Sequence, residues 1–401
     1  MRHIYNKVCL STMTALFITL IMGGCRIEPP LHLPDDPDVD IEWAKIELEL
    51  DILWKYQLYV DSLSGEIYDS TYNWRDEWYY GWDARDDSIF GKWTLLDPEV
   101  YNIRRYYTGV DGTIAHTQPY EHQVDEPRLL TSFRYGYYDI LAWNEVTTLD
   151  GVQSLHFDET STFDYVRAYT NQSTARSRYN ARHAYSFYQP EFLYGGYLEK
   201  LFISHDPADY DYYDPQENIY YKKVKMLLEP RTYIYLVQVI LHNNRGRISA
   251  VDGSANLSGM AYETNLNTGH TTDDDVSVTY NVRLKNGIAR YNESVDIIGG
   301  RLFTFGIHDT YPYRSNPVEA REKGKKYIDM NIAFNNGMDS TFVFDVSEQV
   351  NRRYKGGIIT IELDVDTINI PRRSGGSGFD AVVEDFDEVT HEFDVGGGTK
   401  K

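Results

Sequence analysis

The alternation of apolar and charged residues along this chain leaves little room for a helical fold. Ile46, Leu48, Leu50 and Ile52 fall on one side, and Lys45, Glu47, Glu49 and Asp51 on the other. That is the period of two of a half-buried β-strand, whose successive side chains point to opposite faces. Val276, Val278, Tyr280, Val282 and Leu284 repeat the pattern against Ser277, Thr279, Asn281 and Arg283. Further strands are expected at Ser154–Phe157, Phe163–Tyr169, Lys222–Leu228, Tyr233–Leu241, Arg301–Ile307, Tyr327–Phe334, Thr341–Val346 and Ile358–Ile370. Leu129–Trp143 (LLTSFRYGYYDILAW) reads as a β-hairpin or strand pair around Gly136, and Asn336-Gly337 as a tight hairpin turn. Few stretches keep helical spacing beyond two turns. The 35 tyrosines suit sheet faces, where the ring packs and the hydroxyl stays wet. The expected fold is all-β, with two β-sandwich domains in tandem. The joint is placed at Pro230, which cannot donate to a ladder.

The N-terminus constrains location. Arg2, His3 and Lys7 precede a short apolar run ending at Met22, too short to span a bilayer, which takes about 20 apolar residues. This is the pattern of a secretory signal. Gly23-Gly24-Cys25 resembles a bacterial lipobox, with Met22 where Leu is usual. The resemblance implies cleavage before Cys25, which then carries diacylglycerol and an amide-linked acyl chain. The only other cysteine, Cys9, lies inside the signal, so no disulfide is available and the exported domains rest on their hydrophobic cores. Residues 25–42 hold Pro29, Pro30, Pro34 and Pro37 with Asp35, Asp36, Asp38 and Asp40, the composition of an extended acidic tether. Glu28 and these aspartates resemble the acidic export signal of surface-exposed Bacteroidetes lipoproteins, set further from the cysteine. The expected division is a signal peptide at 1–24, a tether at 25–42, an N-terminal sandwich at 43–229 and a C-terminal sandwich with an acidic tail at 230–395.

A net charge of −22 argues against nucleic acid as a partner, since phosphates repel such a surface. The chain contains no HExxH, GxSxG, GxGxxG or Walker sequence, and its 11 histidines are scattered. Asp273-Asp274-Asp275 lacks the alternating spacing of a calcium loop and reads as a solvated turn. Neither metal nor cofactor is expected. Abundant acids are compatible with a glycosidase-like carboxylate pair, but solvation accounts for them as well. Trp74, Trp78 and Trp82, spaced by four in NWRDEWYYGWD, would form one stripe on a helix. They offer either a platform for a glycan or partner protein, or an insertion packed on a sheet.

Several segments are similar in order to the fimbrium-anchoring lipoproteins of Bacteroidetes, the minor fimbrial and fimbrial assembly anchor proteins and their relatives. They are VDGSANLSGMAYETNLNTG (251–269), GRLFTFGIHD, MNIAFNNGMDSTFVFDVSEQV with its D-V-(T/S)-x-Q-V turn, and GGIITIELDVDTINIP with the acidic GSGFDAVVEDFDEV behind it. GYYDILAWN and QPEFLYGG fit in the first half, while the tryptophan insertion does not. The resemblance implies two transthyretin-like sandwiches, no catalysis, and lipid anchorage in the outer membrane facing the cell surface. It also implies contact with a fimbrial shaft subunit through a strand added to a sheet edge. The edge expected to be open lies in Ile358–Ile370. The alternative is a surface lipoprotein that binds glycans.

Overall fold

The computed structural model describes residues 43–52, 58–61, 65–68, 77–78, 84–91, 98–114, 119–146, 148, 153–158, 163–173, 183–214, 216, 219–272, 274–290, 293–308, 325–371 and 390–394. Cys25, the tether, Trp74, Trp82 and the acidic tail lie outside them.

The first half of the chain supplies an eight-stranded sheet. Its strands are β1 (Trp43–Ile52), β4 (Tyr101–Gly109), β5 (Tyr120–Val124), β6 (Arg128–Arg134), β7 (Gly136–Asn144), β11 (Tyr194–Ile203), β12 (Tyr212–Asp214) and β13 (Ile219–Pro230). The order is β5-β4-β7-β11-β13-β1-β6, with β12 against β13. β11 and β13 meet only at Tyr194–Pro230 and Gly195–Glu229. The sheet folds over at this narrow join. Ile46 and Leu48 of β1, Phe133 of β6 and Leu228 of β13 then share a core with Ile103 of β4 and Ile140 of β7. Gly196 makes the fold-over possible, because a Cβ there would lie 2.2 Å from the Leu227 carbonyl oxygen.

β6 and β7 correct the expected hairpin. Both strands exist, but β6 pairs with β1 while β7 pairs with β4 and β11. The chain crosses from one layer to the other at Gly136, whose φ of +128° is one that side chains disfavour. A Cβ at that position would also lie 2.8 Å from the Gly109 carbonyl oxygen. Alternation fixes which face a residue takes, not which strand it pairs with.

The seam between the two ends of the curved sheet is bridged by Arg105, only 6% exposed. Its Nη1 donates to the Ser132 carbonyl at 3.1 Å and its Nε to His122 Nε2 at 2.9 Å. The guanidinium also lies over the Phe133 ring, 4.3 Å from its centroid. Burial, and then the charge of Arg105, hold His122 below its ordinary pKa.

The second half builds two facing layers. One is β10 (Phe187–Tyr188), β17 (Val276–Asn281), β15 (Ile248–Met260), β20 (Tyr327–Phe334), β21 (Asp339–Asp345) and β23 (Thr390–Asp394), hydrogen-bonded in that order. The other is β18 (Arg283–Arg290), β19 (Glu293–Thr304), β14 (Tyr233–His242) and β22 (Gly357–Asp364). Val237, Val239, Ile359 and Ile361 meet Leu257, Ile328, Met330 and Phe342 between the layers. The alternating run Val276–Leu284 is not one strand. It ends as β17 at Asn281 and restarts in the opposite layer as β18 at Arg283. The pattern survives the switch because both layers face the same core, where Val276, Val278, Tyr280, Val282 and Leu284 all pack. Val251–Gly269 contributes much of β15 and all of β16 (Glu263–Asn265). β16 joins β9 (Arg167–Thr170) and β8 (Leu155–Phe157) in a three-stranded sheet, and β2 (Leu58–Asp61) pairs with β3 (Gly65–Tyr68). Asn336-Gly337 turns the β20–β21 hairpin as expected. Ile358–Ile370 keeps strand geometry only to Asp364, where the Asp364 carboxylate accepts from Asp366 N–H and starts a 3₁₀ turn at Val365–Thr367.

Unlike the half-exposed β1, β14 reads as a nearly continuous apolar run, YIYLVQVILH, and its sheet is buried on both faces. The face turned away from the core carries Ile234, Leu236, Ile240, Ile297, Phe303 and Ile358. Trp78, Phe90 and Phe192 cover it. Phe90 ends helix α1 (Ala84–Phe90), and its ring lies 5.3 Å from that of Trp78. The helix is pinned by Lys285, whose Nζ donates to Asp86 Oδ1 at 2.6 Å, with Asp86 fully buried. Trp78 is therefore a core residue at 0% exposure: of the two readings, it takes that of an insertion packed on a sheet and not that of a glycan or partner surface.

Two outcomes are expected. Trp78→Ala uncovers the outer face of the β14 sheet and should lower stability by about 3–5 kcal/mol, measured by urea denaturation. His122 binds protons more readily in the unfolded chain than in the folded one, so stability should fall as pH drops below about 6.5. His122→Gln, which keeps an acceptor for Arg105 without titrating, should flatten that part of a denaturation-versus-pH curve.

Candidate functional site

The D-V-S-E-Q-V turn of the sequence sits against the free edge of β22. One side of β22 pairs with β14 in parallel, Tyr235 opposite Gly357 through His242 opposite Asp364. The other side would present unpaired backbone groups, the usual invitation to another strand. Helix α2 (Ser347–Arg352) closes it. Gln349 Nε2 donates to the Thr360 carbonyl at 2.8 Å, and Gln349 Oε1 accepts from Thr360 N–H at 2.9 Å. One side-chain amide thus reproduces both hydrogen bonds that a neighbouring strand would make. Arg353 Nη1 caps the Ile358 carbonyl at 2.7 Å, and Thr367 Oγ1 caps that of Asp364 at 2.7 Å. The expected open edge at Ile358–Ile370 is therefore capped at Ile358, Thr360 and Asp364 of β22.

The other residues of the turn position this plug. Val346 and Val350 are fully buried in the core between the layers. Asp345 Oδ1 accepts from Ser347 N–H at 3.0 Å and also from its hydroxyl, and Asp345 Oδ2 accepts from Lys325 Nζ at 2.6 Å. Burial alone would raise the Asp345 carboxyl, but the bonds from Lys325 and Ser347 outweigh it and hold the group below its ordinary pKa. Ser347 Oγ in turn accepts from Lys326 N–H at 2.8 Å. Asp and Ser at these two places order the start of the helix, the valines anchor it, and Gln reaches the edge.

Other sheet margins are managed differently. At β6, Arg105 takes the Ser132 carbonyl and Tyr138 Oη accepts from Arg134 N–H at 3.0 Å. β18 is broken by a register shift between Lys285 and Ile288. β10 is two residues long. Among the described residues, β5 and β23 end their sheets with no further strand beside them. Among the same residues, no group of three or more His, Cys, Asp or Glu side chains could hold a metal ion, and no helix is long and apolar enough to cross a membrane. Of the residues singled out in the sequence, Trp78 lies in the core, while Cys25, Trp74 and Trp82 fall outside the described residues. Gln349 was legible only as part of a motif, because a lone glutamine in a helical turn signals nothing about the strand it touches.

No family model matches the chain, and no curated protein matches it. Among solved structures it is similar to a candidate adhesin of Bacteroides ovatus, at 14% identity and a TM-score of 0.47, covering 83% of this chain and 95% of that one. It is also similar to the fimbrial anchor protein Mfa2 of Porphyromonas gingivalis, at 12% identity and a TM-score of 0.38, covering 80% and 90%. A third is a candidate polysaccharide-binding protein of Bacteroides thetaiotaomicron, at 7% identity and a TM-score of 0.40, again covering 80% and 90%.

Gln349→Ala should expose a strand, GIITIELD, that is rich in β-branched residues and free of proline. Self-association above that of the parent chain is expected in sedimentation velocity. Thr360→Pro in the same background removes the exposed N–H and should reverse it.

Proposed function

We propose that this chain is a lipid-anchored cell-envelope protein of the outer membrane, associated with a fimbrium as an anchor or assembly subunit. In this reading Cys25 is acylated and becomes the new N-terminus. Residues 25–42 act as a tether, and the sandwiches at 43–229 and 230–395 act as two domains that hold a shaft subunit by strand-edge pairing, without catalysis. The observation that carries the reading is the plug on β22. A motif that resembles one of fimbrial anchors is here a device for controlling a sheet edge, with Gln349 2.8 and 2.9 Å from the Thr360 backbone. A chain that joins others through sheet edges needs some edges closed, so that partners add at one place only. With β22 and β6 capped, β5 and β23 are among the described edges open to an incoming strand.

The test is Cys25→Ala in cells that make fimbriae. Three acyl chains anchor firmly, since each buried CH₂ contributes about 0.8 kcal/mol. The variant should leave the membrane fraction for the soluble one, and fimbriae should detach into the medium. A variant that persists in salt-washed membranes refutes the lipid anchor. Fimbriae that stay attached after release of the variant refute the anchoring role.

A further inference from the structure

We propose that a cleft between residues 188–191 and the β17 and β19 strands binds a saccharide. The cleft has a volume of about 320 Å³, within the range of small-ligand sites and large enough for one or two sugar units. Tyr188, Gln189, Asn281, Arg301, Phe303 and Ser154 are among the residues that line it.

The wall is fixed in place before any ligand arrives. Gln189 Oε1 accepts from Phe303 N–H at 3.2 Å. The Glu191 carboxylate, largely buried, accepts from Ser154 N–H at 2.7 Å and Leu155 N–H at 2.8 Å. β10, which carries Tyr188, is hydrogen-bonded to β17. Arg301 is stacked over the Phe303 ring at 4.7 Å and is 6% exposed. A rigid wall loses little freedom on binding, which favours even a small ligand.

The cleft offers neutral polar groups together with two opposite charges, the Arg301 guanidinium and the Glu191 carboxylate. The Gln189 amide N–H₂, the Asn281 amide, the Ser154 hydroxyl and the Tyr188 hydroxyl have no hydrogen-bond partner among the described residues. These groups are neutral, and together they both donate and accept. A sugar hydroxyl does the same, whereas phosphate or carboxylate needs donors alone and would meet the Glu191 carboxylate beside the Arg301 guanidinium. The Tyr188 ring is 42% exposed at the cleft and provides an apolar surface for the C–H face of a pyranose. The site is independent of the edge contacts above and of Trp78, whose ring is enclosed.

The experiment is saturation-transfer NMR on the full-length chain in detergent, against a panel of neutral hexose mono- and disaccharides at millimolar concentration. At least one sugar should bind. Asn281→Ala and Tyr188→Ala should each weaken it by about ten-fold or more, the scale of one lost stacking or hydrogen-bonding group. Both side chains are exposed, so the thermal midpoint should stay that of the parent. No binding across the panel, or equal affinity in both variants, overturns the proposal. Either result leaves attachment of fimbriae unaffected.

Discussion

Water is kept from both faces of the β14 sheet, and much of the architecture follows from that. A sheet with one solvated face can stand on a single core, as β1 does with its row of Lys45, Glu47, Glu49 and Asp51 outward. β14, β19 and β22 cannot, because Ile234, Leu236, Ile297, Phe303 and Ile358 point away from the core between the layers. They need cover from elsewhere in the chain. That cover comes from early sequence, with Trp78 and Phe90 from one segment and Phe192 from another. The second half is therefore completed by the first, and the buried Lys285–Asp86 pair holds the cover in register. Such a buried pair contributes more to the uniqueness of this docking than to its strength, since desolvation offsets most of the attraction.

A second theme is the use of side chains where a strand would otherwise be needed. Gln349 and Arg353 stand beside β22, and Arg105 and Tyr138 stand beside β6. In both places the backbone groups are satisfied without prolonging the sheet. This solution ends a sheet at a defined strand and keeps its edge recoverable, because displacing a helix turn exposes the whole ladder again. Burying the edge under a layer would not.

The β-rich class and most strands were legible in the sequence, because alternation is imposed by backbone geometry alone. Ile46–Ile52 and Tyr327–Phe334 are instances. Pairing was not legible. The run Val276–Leu284 gives no sign of changing layers at Val282, since both layers present the same face to it. Gly136 signalled a reversal, but a crossing between layers and a hairpin demand the same residue. The helical spacing of the tryptophans gave no sign of what they pack on; Trp78 is held by the apolar face that needed covering. In the candidate site, the motif around Gln349 stood out as a resemblance. Its role depended on which strand lay 2.8 Å away, and that is a property of the fold. The cleft residues Gln189 and Asn281 had no signal at all, because an amide that lines a cleft looks in the sequence like any surface amide.

The placement of β1 has a mechanical consequence. β1 is held on both sides, by β13 from Ala44 to Ile52 and by β6 from Trp43 to Glu49. Tension drawn along β1 meets two ladders in shear, so many hydrogen bonds must fail together rather than one after another. Resistance to such a pull is governed by the height of the unfolding barrier, not by equilibrium stability. A strand clamped in this way on both sides lets the sheet bear load as a single block.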